Sequence, residues 1–209
     1  MRLTCFLLIL GAAAIAAEPN VIGFTDAEVG KLPDGWTATK TGTGSGSDWR
    51  VVEDESAPGG MALAQASADG PTALFNLCVA DSTSYADVDL TISFKAVGGK
   101  IDQGGGPVWR YQDPNNYYIA RINPLENNYR LYKVVDGKRM QLATANVDAP
   151  ANKWHIIRIV QKANQIQCYL NDQLQIDVKD DTFKDAGKIG LWTKADAQTR
   201  FAGLKVSGK

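Results

Sequence analysis

The sequence has 209 residues, of which 44% are hydrophobic, and its formal net charge is −1. This length and composition suit one ordinary globular domain with a full core. The slightly acidic charge argues against nucleic acid or an anionic membrane as a partner. The sequence contains no P-loop, no dinucleotide fingerprint and no CxxC pair, so no common nucleotide-binding or zinc-binding motif is present.

The first 17 residues have the pattern of a secretory signal peptide. Arg2 supplies the positive start, an apolar run begins at residues 5–10, and small residues at 14–16 precede the cleavage position. The apolar run is too short to span a membrane. We therefore expect an exported protein, periplasmic or extracellular, whose mature domain comprises residues 18–209 and is not inserted in a membrane.

The mature chain reads as short strands separated by turn signals, with no helical period over ten or more residues. This pattern predicts an all-β sandwich or barrel. The clearest alternation of apolar and polar residues is in segment 87–97. The predicted strands are 49–54, 61–66, 72–79, 87–97, 107–111, 117–122, 128–135, 139–145, 154–161, 166–170, 173–178, 188–193 and 201–207.

Three of these strands, within residues 104–135, are predicted to form an antiparallel meander. Their linkers, 112–116 and 123–127, are rich in Asn, Asp and Pro, as hairpin connections are. Alternate residues of a strand point to opposite faces. One face would then be apolar, with Trp109, Tyr111, Tyr118, Ala120, Ile122, Tyr129 and Leu131. The other face would carry Arg110, Ile119, Arg121, Arg130 and Tyr132.

The arginine-bearing face has two interpretations. Its Arg and Tyr side chains can solvate the open side of an antiparallel sheet, or they can form a binding surface. The chain also has five tryptophans, which can fill a core or stack on sugars while Arg, Asn and Asp hydrogen-bond the hydroxyl groups. The candidate ligand-binding residues are Arg110, Arg121, Arg130 and Tyr132, with Trp192 and Asp196 near the rim.

Metal and disulfide chemistry stays open. Asp180, Asp181 and Asp185 cluster in one loop; such loops bind calcium in some exported β-proteins, although a solvated loop is the commoner explanation. No metal site or cofactor is predicted, and calcium is kept as an alternative. Cys78 and Cys168 remain in the mature chain, where export permits a disulfide but strand-like surroundings favour buried free thiols.

Several segments together resemble the exported bacterial 3-keto-disaccharide hydrolase-like domains, which belong to the concanavalin A-like, laminin G-like sandwiches. The resemblance implies a two-sheet antiparallel jelly roll whose concave face binds carbohydrate. It also implies that Arg110 and Arg121 occupy the arginine-bearing strand positions of the family. The segments that carry the resemblance are 105–113, 116–121, 123–127, 130–132, 154–155 and 190–196.

The sequence departs from related sandwiches at two places. The Glu-x-Asp-x-x-Glu strand of laminarinase-type glycosidases does not occur, so their retaining mechanism is not available to this chain. The terminal strand of the family tends to read Phe-Asp-Asp, whereas this chain has Phe201-Ala202-Gly203. Any role of those acidic residues in holding a metal is therefore not expected here.

Three functions are compatible with these observations, and the first is preferred. It is an exported domain that binds a glycan. The second is an enzyme that cleaves 3-keto-disaccharides or related sugars, in which Asp87, Asp89, Asp113 or His155 would be the base and an arginine would stabilise the oxyanion. The third is a structural or adhesion module that binds protein. Asp87 and Asp89 also have a plain alternative as the solvent face of a strand, and His155 as a structural residue.

Overall fold

The structure, a computed structural model, describes residues 18–209. The predicted signal peptide, residues 1–17, lies outside the described residues. All regular elements of the described part are strands: β1 (Asn20–Ile22), β2 (Trp36–Thr41), β3 (Trp49–Glu53), β4 (Met61–Gln65), β5 (Phe75–Ala80), β6 (Val88–Gly98), β7 (Gly105–Asp113), β8 (Asn116–Asn123), β9 (Asn128–Val135), β10 (Lys138–Asn146), β11 (His155–Lys162), β12 (Gln165–Leu170), β13 (Gln173–Lys179), β14 (Lys188–Lys194) and β15 (Gln198–Gly208).

The strands form two antiparallel sheets. Sheet A has the order β13-β12-β11-β6-β15-β4-β3, and β1 pairs with β15. Sheet B has the order β10-β9-β8-β7-β14-β5-β2. The predicted all-β, two-sheet architecture is confirmed, and the meander of β7, β8 and β9 lies in sheet B. Residues 18–209 hold no helix with the length and apolar character needed to cross a membrane.

The main core lies between the two sheets. On the β6 strand of sheet A, Leu90, Ile92 and Phe94 are fully buried in it, as their alternation predicts. Trp109 of sheet B stacks on Tyr118, with ring centroids 5.7 Å apart. Its Nε1 donates a hydrogen bond of 2.5 Å to the Oε1 of Gln161 on β11. This bond joins the sheets inside the core.

Sheet B is also apolar on its second face. Leu77, Val108, Ile119, Val134 and Trp192 form a separate buried cluster that contains residues of sheet B alone. Their neighbours along each strand point into the main core, so the cluster lies on the side of sheet B that faces away from sheet A. The outer face of sheet B therefore carries a buried apolar layer.

Two features at strand ends differ from the sequence-based expectation. Strand β5 begins at Phe75 rather than at residue 72, because the backbone N–H of Leu74 closes a turn on the carbonyl of Pro71. Strands β1 and β2 are not among the predicted strands. By contrast, the predicted tight turn at Asp136 and Gly137 is confirmed, since both residues have the positive φ, 51° and 73°, that such hairpin turns require.

The cysteine question is settled by topology. Cys78 lies in β5 of sheet B and Cys168 in β12 of sheet A, and both are buried and free. Burial raises the pKa of each thiol well above its usual range, which leaves the thiolate, the reactive form, scarce at neutral pH. The disulfide alternative is therefore not formed in this structure.

Candidate functional site

A β-bulge changes the direction of side chains in β7. The register of β7 against β8 shifts between Trp109 and Asp113, and Arg110 has a left-handed φ of 44°. An extra residue in one strand interrupts the strict alternation of faces. Beyond the bulge, Tyr111 stacks on Tyr117 in the outer cluster, whereas Trp109 points into the main core. The prediction that Trp109 and Tyr111 share a face is therefore wrong.

The same bulge takes Arg110 away from the other arginines. Its guanidinium donates hydrogen bonds to the backbone carbonyls of Ala86 at 2.6 Å, of Ala163 at 2.7 Å and of Phe183. It also lies 3.7 Å from the carboxylate of Asp87. These partners belong to loops around sheet A. Arg110 is a buried connector of loops, which corrects its predicted place on the binding face.

The remaining arginines of sheet B gather on its outer side. We call this surface the arginine face and define it by Arg121 of β8, Arg130 of β9, Arg139 of β10, Tyr132 and Trp192. The Arg139 guanidinium lies 4.4 Å from the Tyr132 ring centroid and 5.8 Å from that of Trp192. Arg130 Nη1 lies 3.4 Å from the Tyr132 hydroxyl. Four predicted site residues are thus brought together, and Arg139 is added to them.

Arg121 is the most deeply buried arginine of the face, with 1% of its surface exposed. Its Nη2 donates to the carboxylate of Glu126 at 2.9 Å and to the Oδ1 of Asn128 at 2.9 Å. Its Nη1 lies 3.4 Å from the carboxylate of Asp102. The guanidinium is therefore clamped from two sides by loops that the strand pattern did not single out.

Glu126 is shared between two arginines. Its Oε2 lies 2.9 Å from Nη2 of Arg121 and 2.9 Å from Nη1 of Arg130. Burial alone would raise its pKa, but hydrogen bonds from Asn128 and Arg121 lower the pKa to about 2. The carboxylate is thus ionised at neutral pH and fixes the positions of both guanidinium groups.

Arg139 is held by aromatic rings instead of by carboxylates. Its guanidinium lies over Tyr132, Phe75 and Trp192, with the Phe75 centroid 5.0 Å away. Attraction between a guanidinium and the faces of aromatic rings stabilises this arrangement. Burial lowers the pKa of Arg139, although a guanidinium stays protonated at neutral pH. No salt bridge of Arg139 occurs among the described residues.

The arginine face has more hydrogen-bond donors than acceptors. Within residues 18–209, several of its buried nitrogens have no hydrogen-bond partner. Buried donors without a partner carry a desolvation cost, so native structures contain few of them. The nitrogens of the arginine face without a partner are Nε of Arg121, Nε of Arg130, Nη1 of Arg139 and Nε1 of Trp192.

Asp196 supports the face from a distance. Its carboxylate accepts hydrogen bonds from the backbone N–H groups of Lys100 at 2.7 Å, Ile101 at 3.0 Å and Asp102 at 3.0 Å. Burial alone would raise its pKa, but these amides lower it. Asp196 thereby fixes the loop that presents Asp102 to Arg121. Its predicted role as a ligand contact is replaced by a supporting position.

The proposed bases of the enzymatic alternative lie elsewhere. Asp89 is paired with Arg158 at 2.6 Å on sheet A, and Asp87 accepts the backbone N–H of Ala163 at 2.8 Å. Both line a cavity of about 350 Å³. Asp113 accepts the N–H of Asn115 in the β7–β8 turn, and His155 Nε2 lies 3.0 Å from the carbonyl of Pro150. None of these four groups belongs to the arginine face.

The acidic loop has a structural partner of its own. Asp180 accepts a hydrogen bond from the Tyr118 hydroxyl at 2.6 Å and pairs with Lys133 at 2.8 Å. The Asp180 carboxylate is therefore already engaged by Tyr118 and Lys133. Within residues 18–209, no group of three or more His, Cys, Asp or Glu side chains is arranged to hold a metal ion. The calcium alternative stays untested.

Comparison with solved structures defines the fold class. The chain is similar to the carbohydrate-binding module CBM66 from Bacillus subtilis, with 21% identity over 83% of this chain and 96% of that chain at a TM-score of 0.65. It is also similar to domain 4 of AbnA, a GH43 extracellular arabinanase from Geobacillus stearothermophilus in complex with arabinotriose. The identity is 12% over 91% of this chain and 93% of that chain, at a TM-score of 0.57. A third similar structure is the exoplasmic/lumenal domain of VIP36 in its Ca²⁺/Man-bound form. The identity is 9% over 85% of this chain and 84% of that chain, at a TM-score of 0.59. The protein is thus a two-sheet antiparallel β-sandwich with a jelly-roll fold.

Comparison at the sequence level gives the family. No curated protein sequence matches the chain. The model of the 3-keto-alpha-glucoside-1,2-lyase-like domain matches residues 24–207. The chain belongs to this family, which confirms the resemblance seen in the sequence, and the match covers nearly the whole described domain.

Replacing Arg110 with Met should lower the free energy of unfolding by about 2 kcal/mol or more, because buried acceptors left unpaired cost about 1–3 kcal/mol each. The carbonyls of Ala86, Ala163 and Phe183 would lose their donor. Chemical denaturation measures the change, and Arg50→Met, at an exposed ion pair, is the control with an expected loss under about 0.5 kcal/mol. Equal losses in the two variants would contradict the connector role.

Replacing Asp180 with Asn should reduce the dependence of the free energy of unfolding on pH at acidic pH. Burial raises the pKa of Asp180, but hydrogen bonds from Lys133 and Thr182 outweigh it and lower the pKa from 3.8 to about 2. The folded-state pKa is depressed, so the stabilisation is present above pH 3.8 and is lost as the pH falls toward 2. Unfolding free energies measured from pH 6 to pH 2 should converge for the two proteins, and parallel curves would contradict this assignment.

Proposed function

We propose that the mature chain is an exported carbohydrate-binding domain that holds a glycan on the arginine face. The observation that carries the proposal is a cluster of three arginines with unpaired N–H donors beside buried aromatic rings on one face of sheet B. Arg130 and Arg139 are only half-buried, so a ligand can reach them from solvent. A sugar offers hydroxyl, ring and glycosidic oxygens that accept such hydrogen bonds. Its C–H surfaces pack on aromatic rings.

The side chains of the arginine face are preorganised for ligand binding. Asp102 and Glu126 hold Arg121, and Glu126 also holds Arg130. Three aromatic rings hold Arg139. Donors fixed in this way lose little side-chain entropy when they bind, which raises affinity. Arg130 has 32% of its side chain exposed, so a ligand can reach the outer edge of the face.

The comparisons support this proposal without assigning a ligand. The Bacillus subtilis structure is named a carbohydrate-binding module, the arabinanase domain is in complex with arabinotriose, and VIP36 is in a Ca²⁺/Man-bound form. These proteins share the sandwich with this chain. The family description names a lyase-like domain, so turnover of a sugar is one outcome that the test must separate from binding.

Incubation of the mature protein with plain and 3-keto glycosides, followed by ligand-observed NMR over hours, tests the proposal. We expect line broadening without product signals. Replacing Arg130 with Gln should weaken the interaction about tenfold, since hydrogen bonds to charged groups contribute about 1.5–3 kcal/mol. The matched control is Arg158→Gln, because Arg158, like Arg130, is partly exposed and paired with a carboxylate, but it lies on sheet A.

Other outcomes lead elsewhere. New product signals that persist in Arg130→Gln would favour the sugar-cleaving alternative at another site. Broadening that is lost equally in Arg158→Gln would place the ligand away from the arginine face. Absence of broadening and of product for every glycoside would overturn the proposal and favour a structural or adhesion module that binds protein.

The export part of the proposal rests on the sequence of residues 1–17. Arg2, the apolar run and the small residues at 14–16 are the supporting features. Expression of the full chain in a bacterial host should yield a processed protein outside the cytoplasm. N-terminal sequencing should then begin at Glu18, and replacing Ala17, the residue directly before the cleaved bond, with a bulky Trp should leave the precursor unprocessed. An intact, cytoplasmic wild-type chain would overturn this part.

A further inference from the structure

Charges on the arginine face do not balance. Asp102 is shared by Arg121 and Lys194, whose Nζ lies 3.0 Å from the carboxylate. Glu126 is shared by Arg121 and Arg130. Two carboxylates therefore serve three cations. Each carboxylate is already contacted by two of them, and neither forms a salt bridge with Arg139.

Arg139 is the cation that remains. Its neighbours are Tyr132, Phe75 and Trp192, which present ring faces to the guanidinium. Its Nη1 is buried and has no hydrogen-bond partner among residues 18–209. Arg139 as a whole is half-buried, so a ligand can reach it from solvent. A cation that is partly removed from water is stabilised by a carboxylate partner or by several acceptors. An anion bound beside Arg139 would give its guanidinium both an opposite charge and hydrogen-bond acceptors.

The polar groups of the arginine face that have no hydrogen-bond partner are all donors. The nitrogens without partners on the arginine face are donors, and those of Arg121, Arg130 and Arg139 belong to cations. A neutral sugar brings hydroxyl groups, which donate as well as accept. A carboxylate accepts only, and charge-assisted hydrogen bonds to it are about twice as strong as neutral ones. The face therefore matches an acidic ligand better than a neutral one.

Building on the proposed carbohydrate function, we propose that the glycan is acidic, and that Arg139 binds the carboxylate of a uronate sugar. Arg139 pairs with the carboxylate, and its apolar surroundings strengthen the interaction by lowering the local dielectric. The exposed side of Arg130 adds a second cation at the outer edge of the face. The aromatic rings beneath Arg139 keep its guanidinium in place when the ligand leaves.

The experiment compares an acidic ligand with its uncharged methyl ester. Isothermal titration calorimetry on the mature protein uses an oligogalacturonide and the same oligosaccharide with its carboxyl groups methyl-esterified. We expect the acid to bind at least about tenfold more tightly, as charge-assisted hydrogen bonds imply. We also expect its affinity to fall when the salt concentration rises, since salt screens partly exposed charges.

Variants locate the carboxylate. Arg139→Gln should remove the preference for the acid, so that acid and ester bind alike. Arg139→Lys keeps the charge and the aliphatic stem, and should retain part of the preference even where Arg139→Gln is unstable. Arg158→Gln is the matched control on sheet A and should leave the preference unchanged. Thermal unfolding of each variant checks that the fold persists.

The outcomes separate this inference from the proposed function. Equal binding of acid and ester by the wild type would overturn the acidic ligand and leave carbohydrate binding intact. Binding of neither oligosaccharide, together with no response to the glycoside panel, would overturn both. Equally tight binding of polyglutamate would show an anion site that does not recognise sugar, and would also overturn the proposal. Retention of the full preference by Arg139→Gln would exclude Arg139 as the carboxylate site.

Discussion

Sheet B has two apolar faces but only one partner sheet, and this constraint shapes the site. Strand β8 shows it most clearly, since Tyr118 and Ala120 point into the core between the sheets while Ile119 points outward and is equally buried. A strand buried on both sides needs cover on both sides. Sheet A covers one side. On the other side, the long side chains of Arg121 and Arg139, together with aromatic rings, lie against the sheet.

Cover made of guanidinium groups has a chemical consequence. Arginine stems are apolar and pack well on a hydrophobic surface, but each head group has five N–H donors and no acceptor. Asp102 and Glu126 satisfy only some of them. The donors that remain are therefore a by-product of how sheet B is covered. Those arginines that are only half-buried, Arg130 and Arg139, are the ones a ligand with acceptors could reach. The side chains that cover sheet B are thus the same ones that we propose to bind the ligand.

Strand parity predicted a large part of this site from the sequence. It correctly placed Arg121, Arg130 and Tyr132 together, because β8 and β9 pair without interruption. It failed at Arg110, because a bulge depends on local backbone geometry that alternation does not reveal. The pairing of Asp102 and Glu126 with arginines could not be predicted either, since both acids lie in loops that have no periodic pattern.

Arg139 is a different case, because its signal was present in the sequence. A two-residue turn at Asp136 and Gly137 fixes the hairpin register and pairs Arg139 with Val134. Directly paired residues share a face, and Val134 has the parity of Tyr132. Carrying the parity through the turn therefore places Arg139 beside Tyr132. The aromatic rings from β5 and β14 around it depend on long-range strand order, which the sequence did not reveal.

The carboxylates of the arginine face bear on whether the face can do chemistry. A general base works best when its pKa lies near the working pH. The pKa of Glu126 is lowered to about 2 by its hydrogen-bond partners against the effect of burial, and Asp102 is contacted by Arg121 and Lys194. These acids therefore act as counter-ions that fix cations, and the cations are suited to holding charge. Any proton transfer on a sugar bound here would need a base from outside this face, and Asp87, the candidate in the cavity on sheet A, is itself engaged by a backbone amide.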